Sequence, residues 1–403
     1  MDLEIKRAEV DAIGDNWTVV YGRRKVGKTF MLRRFYDWEY YASVTRDGVI
    51  WVDGFEIDRF AGLDSFTNFV LNALKNGKKI VVDEFQRLPH WCIERIASAH
   101  PRGTLILSGS SIGMAKKVLS KKSPLLGLAK EMKLDLIDSM EMLRSLPMDP
   151  IKAIEYGIYM RDPWLIPFMK GGDIHRDLYN LVISTPHVIP SLIMEVFTEE
   201  DRKLTATYDA IIREIGAGTQ KPSEVASTLY GRGIICRDAA SEVSPFIKNL
   251  VELGVLKAVP IYNKRSVIYR MGSPVFSVFY YLASKFRMEE ESKFEAVREN
   301  IQKIHNLCIQ EFVADLFAKK YGGYLRYSYD PEIDGIVVDR KERVLAAVEV
   351  KWGKLSRSDL SNFLDKVSDM PGDKLVITKY PTDIESKEAK ILTPEDVIKI
   401  NRY

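Results

Sequence analysis

Cysteine is scarce in this chain. Three residues, Cys92, Cys236 and Cys308, are scattered over 403 positions and form no CxxC pair. That excludes a disulfide framework and a zinc site built from paired cysteines, and it fits a reducing compartment. No apolar run approaches the roughly 20 residues that cross a bilayer, and the opening "MDLEIKRAEV" has no apolar stretch of signal-peptide type. A cytoplasmic protein without a membrane partner is expected. An excess of charge of one sign is also missing: 59 Lys and Arg face 56 Asp and Glu, a net +3, so any basic footprint must be local. The five histidines, His90, His100, His175, His187 and His305, show no metal-site spacing such as HExxH and are expected to serve packing. Long-period repeats and low-complexity segments are lacking too.

What is present is an ordinary globular balance, 46% hydrophobic and 29% charged, on a chain longer than one core usually organises, so two to four domains are expected. From Trp17 to about Ser111, short β-branched runs ("WTVVY", "GVIWVDG", "KKIVVDEF", "TLILSGS") alternate with helical segments, the rhythm of a parallel α/β sheet. From about Met140 to Glu200, helical periodicities are broken by six prolines. Between Leu204 and Gly272, three helices precede the strand-like runs "VLKAVPIY" and "SVIYRM", the order of a winged helix-turn-helix. The last part opens on "SPVFSVFYYLASKF" and ends in strands carrying acids. The expected domains are 1–138, 139–203, 204–272 and 273–403.

The stretch "GRRKVGKT" satisfies GxxxxGK[ST] between a strand and the helical run "KTFMLRRFYDW". Glycines let the backbone fold so that successive amides face a polyphosphate, and the helix start adds its positive end. The main chain of Gly22, Arg23, Arg24, Lys25, Val26, Gly27, Lys28, Thr29 and Phe30 is the expected ATP/ADP cradle. Lys28 is expected on the β- and γ-phosphates and Thr29 on Mg2+. Downstream, "IVVDEF" places Asp83 at a strand end to hold the hydrated metal and Glu84 beside it to activate water. In "LILSGSS", Ser108 or Ser110 is a candidate γ-phosphate sensor.

These stretches, together with "SPLLGLAKE", "FTEEDRKLTATYDAIIREI", "EVASTLYGRGII" and "FIKNLVELGVLKAVPIY", resemble the archaeal ATPase family of P-loop proteins, close to the AAA+ and STAND groups. The resemblance covers essentially the whole chain. It implies an α/β multidomain fold: a P-loop ATPase sheet, a helical lid, a winged helix-turn-helix and a C-terminal restriction-endonuclease-like domain. One departure stands out: family members carry an arginine in the segment that here reads Gly127, Leu128, Ala129, so either Lys130 stands in for it or turnover is slow.

For residues 205–272, nine Lys and Arg against six Asp and Glu leave a local excess of three. The third helix is expected to expose Ser241, Ser244, Lys248 and Asn249 and to bury Val243, Phe246, Ile247, Leu250 and Val251. It starts either at Ser244–Pro245 or after a cap at Asp238. The turn before it holds Arg232 and Arg237, and the tip Asn263, Lys264, Arg265 suits phosphate. Two roles stand side by side, contact with double-stranded or branched DNA and a relay of nucleotide state. Lysines 116, 117, 121 and 122 form a further cluster, for nucleic acid, a second copy of the chain or solvent.

In "PEIDGIVVD" and "AAVEVKW", Asp334 precedes Glu349 and Lys351, which lie two apart and so share one strand face. Asp334 and Glu349 are candidate ligands of Mg2+ or Mn2+, with Lys351 beside the attacking water. This resembles the PD-(D/E)xK nuclease arrangement, and Glu311 matches the acidic helix residue such folds often add. The alternatives are a nucleotide-driven ATPase switch, a DNA-binding regulator with negligible catalysis, and a metal-dependent nuclease.

Overall fold

In the computed structural model, the described residues are 3–55, 58–60, 62–98, 102–119, 123, 125–184, 186–199, 204–286 and 293–400. His100, Lys121, Lys122, Pro124 and part of the "FTEEDRKL" stretch lie outside them, as does the side chain of Lys117. The four expected segments fall into two compact units: one runs from Glu4 to Leu136 and adds the stretch from Ser191, and the other joins Ile137–Pro190 to the chain from Leu204 onward.

The first unit is built on seven strands: β1 (Thr18–Tyr21), β2 (Tyr40–Val44), β3 (Ile50–Asp53), β4 (Arg59–Phe60), β5 (Lys79–Asp83), β6 (Thr104–Gly109) and β7 (Lys130–Lys133). Their order is β4-β3-β2-β5-β6-β1-β7. β2, β5, β6, β1 and β7 run parallel, and β3 and β4 add antiparallel at one edge. Both faces are covered. Val19, Ile80, Val82, Leu105 and Leu107 enter one core, and Val20, Tyr41, Val81 and Ile106 enter the other. Alternate residues point to opposite faces, and with both faces dry these strands must read as continuous apolar runs. The carboxyl ends of β1, β5 and β6 come together, since Tyr21 pairs with Gly109 and Asp83 with Ser108. Ligands of open α/β sheets collect at such an end.

The second unit begins with helices. Asp138 and Asp149 cap Ser139–Ser145 and Pro150–Met160 by accepting backbone amides. The helix Ile174–Ser184 follows, and after it Ala206–Ala217, Pro222–Gly231 and Ala240–Glu252 precede an antiparallel hairpin of β8 (Leu256–Pro260) and β9 (Val267–Met271). The helix Pro274–Lys285 packs on Ala206–Ala217 so closely that a Cβ on Gly216 would meet Tyr280 Cβ at 2.2 Å. The 27-residue helix Phe294–Lys320 then leads into β10 (Tyr324–Tyr329), β11 (Glu332–Val338), β12 (Val344–Lys351), β13 (Asp373–Thr378) and β14 (Lys390–Leu392), which lie in sequence order. The first three pair antiparallel and the last three parallel, with the helix Arg357–Lys366 crossing from β12 to β13. The hairpin is stitched to this sheet where Tyr262 N donates to Tyr327 O at 2.8 Å.

The third helix of the series begins at Ala240, near the earlier of the two expected starts, but Asp238 does not cap it. That carboxylate accepts from Ser227 Oγ instead. Ser241, Ser244 and Lys248 are exposed as expected, whereas Asn249 is half-buried because its amide donates to the Tyr208 hydroxyl at 2.7 Å. Phe246 and Val251, expected in the core, are only partly covered. Among the histidines, His305 is buried and shares a 2.9 Å hydrogen bond with Tyr159 through Nδ1.

Candidate functional site

The first site forms where β1 gives way to the helix Lys28–Phe35. Gly22 passes so close to Leu134 that a Cβ there would lie 2.0 Å from its carbonyl oxygen. Gly27 caps the helix in the left-handed region, with no side chain closing its first amides. Those amides are what an anion needs. Lys28 is buried and its Nζ donates to Gly22 O at 2.8 Å and Arg23 O at 3.1 Å, so the ammonium curls back over the loop. Arg23 is buried, Arg24 pairs with Glu195 at 3.0 Å, Lys25 has a left-handed backbone, Val26 is core, and Phe30 is exposed against Phe35.

Across the sheet, Thr29 Oγ1 donates to Asp83 Oδ2 at 2.7 Å, and the Tyr41 hydroxyl donates to the same oxygen at 2.8 Å. Asp83 Oδ1 accepts from Glu84 N at 3.1 Å. Burial and the Asp83 charge both raise the Tyr41 phenol above its ordinary range, so it remains a donor. Glu84 adopts a left-handed backbone just beyond β5. Its Oε2 accepts from Gln86 Nε2 at 2.7 Å and pairs with Arg87 at 3.2 Å, with Ser110 Oγ at 3.5 Å. Of the two candidate serines, Ser110 reaches Glu84, whereas the buried Ser108 hydroxyl has no partner among the described residues. A hydroxyl beside a strand-end carboxylate is the donor set Mg2+ takes, since it keeps several waters and needs few protein oxygens. The residues fit that ion.

Tyr41, Gln86 and Arg87 were not foreseen. Arg87 stands three residues from Glu84 and was legible; Tyr41 reaches Asp83 only because β2 pairs with β5. Lys130 is a correction. It pairs with Thr18, at the start of β1, while the loop follows the end of β1. A four-residue strand at roughly 3.3 Å per residue separates them, so Lys130 cannot take the missing arginine's place at this cradle.

The second group lies in the other unit. One register step beyond the Gly335–Val348 pair sets Asp334 opposite Glu349. Asp334 Oδ2 accepts from Val350 N at 2.7 Å, and Lys351 Nζ lies 3.2 Å from Glu349 Oε1 and 3.7 Å from Asp359 Oδ1. Burial, then the neighbouring Glu349 charge, pushes Asp334 up to about 7. Two such carboxylates fit a divalent cation, which would relieve their repulsion. Glu311 is engaged elsewhere: its carboxylate pairs with Lys257 at 2.5 Å and Arg270 at 2.7 Å. Burial would raise it, but these cations hold it at about 2. Among the described residues, no three His, Cys, Asp or Glu gather as a metal cluster. Glu311, Arg270, Tyr327, Glu332 and Asp334 line one cavity of about 240 Å3.

Residues 14–142 match the family model described as an AAA domain. A Methanocaldococcus jannaschii protein described as uncharacterized is 25% identical over 409 residues, spanning 89% of this chain and 88% of its own length. Among solved structures, the chain is similar to the Aeropyrum pernix ORC2 protein in ADPNP–ADP complexes (TM-score 0.42, 12% identity, 72% of this chain and 96% of that one). It is also similar to the ORC1 protein of the same organism in complex with DNA (TM-score 0.30, 12% identity, 67% and 86%). Most of the first unit thus falls within the stretch that matches an AAA domain. Among the described residues no single helix is long and apolar enough to cross a membrane.

Proposed function

We propose that this protein is a nucleotide-driven switch acting on DNA, in which hydrolysis of ATP at the first site alters how the second unit engages nucleic acid. The observation that supports the reading is the 2.7 Å hydrogen bond from Thr29 to Asp83, which joins the first turn of the helix behind the loop to the end of β5. The amides from Gly22 to Phe30 and the Lys28 ammonium bind the β- and γ-phosphates once Lys28 leaves the carbonyls of Gly22 and Arg23. Magnesium, when bound, neutralises charge on the β- and γ-oxygens. Thr29 and Asp83 orient that charge, Glu84 takes a proton from the attacking water, and Ser110 reports the γ-phosphate to Glu84. The three helices and hairpin of residues 204–272 support a winged helix-turn-helix, whose exposed tip Asn263, Lys264 and Arg265 offers phosphate contacts.

A second reading, a DNA-binding regulator with negligible turnover, is favoured by the grip of Gln86 and Arg87 on Glu84 and by the position of Lys130. A third, a metal-dependent nuclease, is favoured by the helix-then-sheet order of residues 294–378 with Asp334, Glu349 and Lys351 on paired strands. Steady-state phosphate release, with and without linear and branched DNA, separates the first two. DNA-stimulated release supports the switch, and release that no DNA alters contradicts it. Plasmid cleavage in Mn2+, lost in Asp334→Ala, supports the third; cleavage indifferent to that substitution removes it.

A further inference from the structure

Asp83 Oδ2 takes two hydroxyl donors, and both are linked to one helix. Thr29 belongs to the first turn of Lys28–Phe35 and donates directly at 2.7 Å. Arg33 stands four residues on, so it shares a face of that helix with Thr29, and its guanidinium lies 4.1 Å from the centroid of the Tyr41 ring, whose hydroxyl is the second donor at 2.8 Å. The helix therefore reaches the same oxygen by two routes. Arg33 is itself tied to the neighbouring strands, to Asp53 Oδ2 at 2.7 Å and to Ser43 Oγ at 3.0 Å. Trp38 meets the Tyr41 ring edge-on with centroids 5.6 Å apart, and Tyr41 is fully buried.

An aspartate carboxylate turns easily, because the torsion at its last bond is broad and two-fold. Three donors hold this one, Glu84 N on Oδ1 and the hydroxyls of Thr29 and Tyr41 on Oδ2. Thr29 is also the hydroxyl assigned to magnesium, so its oxygen has two partners to satisfy. Tyr41 has no such second duty. It keeps Oδ2 in place while Thr29 answers to the ion, and outer partners of this kind are typically worth roughly 10–100-fold in metal affinity or activity.

We propose that Tyr41 is a positioning residue for the magnesium of the first site: its hydroxyl fixes Asp83 in the orientation the ion requires, and Arg33 holds the ring that carries that hydroxyl. This rests on the metal reading of Thr29 and Asp83. It adds two residues that lie outside the loop and the acidic strand end, and with them a division of labour: the loop sets nucleotide affinity, whereas Tyr41 and Arg33 set metal affinity.

The test is Mg2+ titration of the full chain with a fluorescent, nonhydrolysable ATP analogue, so that no turnover is needed. Two quantities are read, the affinity for the analogue in EDTA and the Mg2+ concentration that gives half of the metal-dependent signal. Tyr41→Phe is expected to leave the first within about twofold and to raise the second by about tenfold. Arg33→Gln, a change on an exposed side chain that leaves the hydroxyl in place, raises the second by a smaller factor, and Asp83→Asn removes the metal-dependent signal. A half-saturating Mg2+ concentration unchanged in Tyr41→Phe, with the signal lost in Asp83→Asn, overturns the proposal and leaves the metal reading standing. Equal losses of both quantities in Tyr41→Phe also overturn it, since they mark a merely structural tyrosine. Where circular dichroism shows Tyr41→Phe unfolded, Arg33→Gln decides, and an unchanged half-saturating concentration there overturns the proposal. If the parent gives no metal-dependent signal, or Asp83→Asn retains it, the metal reading itself fails, and the proposal with it.

Discussion

Thr29 and Asp83 stand 54 positions apart, yet the threonine hydroxyl donates to the aspartate carboxylate at 2.7 Å. Under the proposed function these two oxygens would be the protein's share of a magnesium site, and each alone is a poor ligand. In Asp83→Ala, magnesium-dependent phosphate release should fall by about 10²-fold or more, in line with losing one charge-stabilising group. Unchanged release in that variant would detach the metal from this strand end.

Lys28 and Glu84 separate binding from chemistry. Lys28→Ala should abolish nucleotide binding in fluorescence titration, because it removes the ammonium that curls over the loop carbonyls of Gly22 and Arg23. Glu84→Gln should still bind ATP and hold it without release of phosphate, since the amide keeps the contact with Gln86 but cannot accept the water's proton. Turnover retained in Glu84→Gln would assign water activation to another group.

Gly22→Ala places a methyl group 2.0 Å from Leu134 O, a backbone atom that cannot swing away. The loop or β7 must move, with a stability loss of about 1–3 kcal/mol and a weaker phosphate cradle. Thermal unfolding and ATP titration of the variant measure both. A variant as stable as the parent would show that the Leu134 carbonyl yields at little cost.

Lys130→Ala should leave phosphate release within about twofold of the parent, a difference well under 1 kcal/mol, because Lys130 pairs with Thr18 at the far end of β1. A large loss, measured at several protein concentrations, would mean that this lysine serves the cradle of a second copy.

His305 supplies the pH dependence. Burial, then the nearby charges of His175 and Lys379, lowers it from 6.5 to about 3. As pH falls below 6.5 the unfolded chain takes up a proton that the folded one refuses, so this residue makes stability decline between pH 6.5 and pH 3, with a slope of up to about 1.4 kcal/mol per pH unit. Hydrogen-exchange protection of the helix Phe294–Lys320, corrected for intrinsic rates, should drop from pH 7 to pH 5 in the parent and drop less in His305→Gln. Equal losses in the two proteins would place the proton elsewhere.

The parallel sheet of the first unit was legible because both its faces are dry, so β1, β5 and β6 are written as apolar runs that each stop at a polar residue. The loop was legible for a local reason, since Gly22 to Thr29 adjoin in sequence. Tyr41 and the grip on Asp83 were not, because strand pairing makes those contacts and no short window of sequence contains them. The same holds for Glu311: its place on an acidic helix position suggested a metal, and only the fold brings Lys257 and Arg270 onto it. Asn249 was misread as exposed because helical spacing places it beside Lys248 and cannot register the Tyr208 hydroxyl packed against it. In each case a residue's neighbours along the chain were read correctly and its neighbours in space were not.

The contact at Gly216 has a mechanical meaning. With no side chain there, the helices Ala206–Ala217 and Pro274–Lys285 meet along bare backbone and the flank of Tyr280, a seam with no slack for sliding. Any side chain at position 216 would therefore have to part the two helices, which makes that position intolerant of every residue larger than glycine unless Tyr280 gives way.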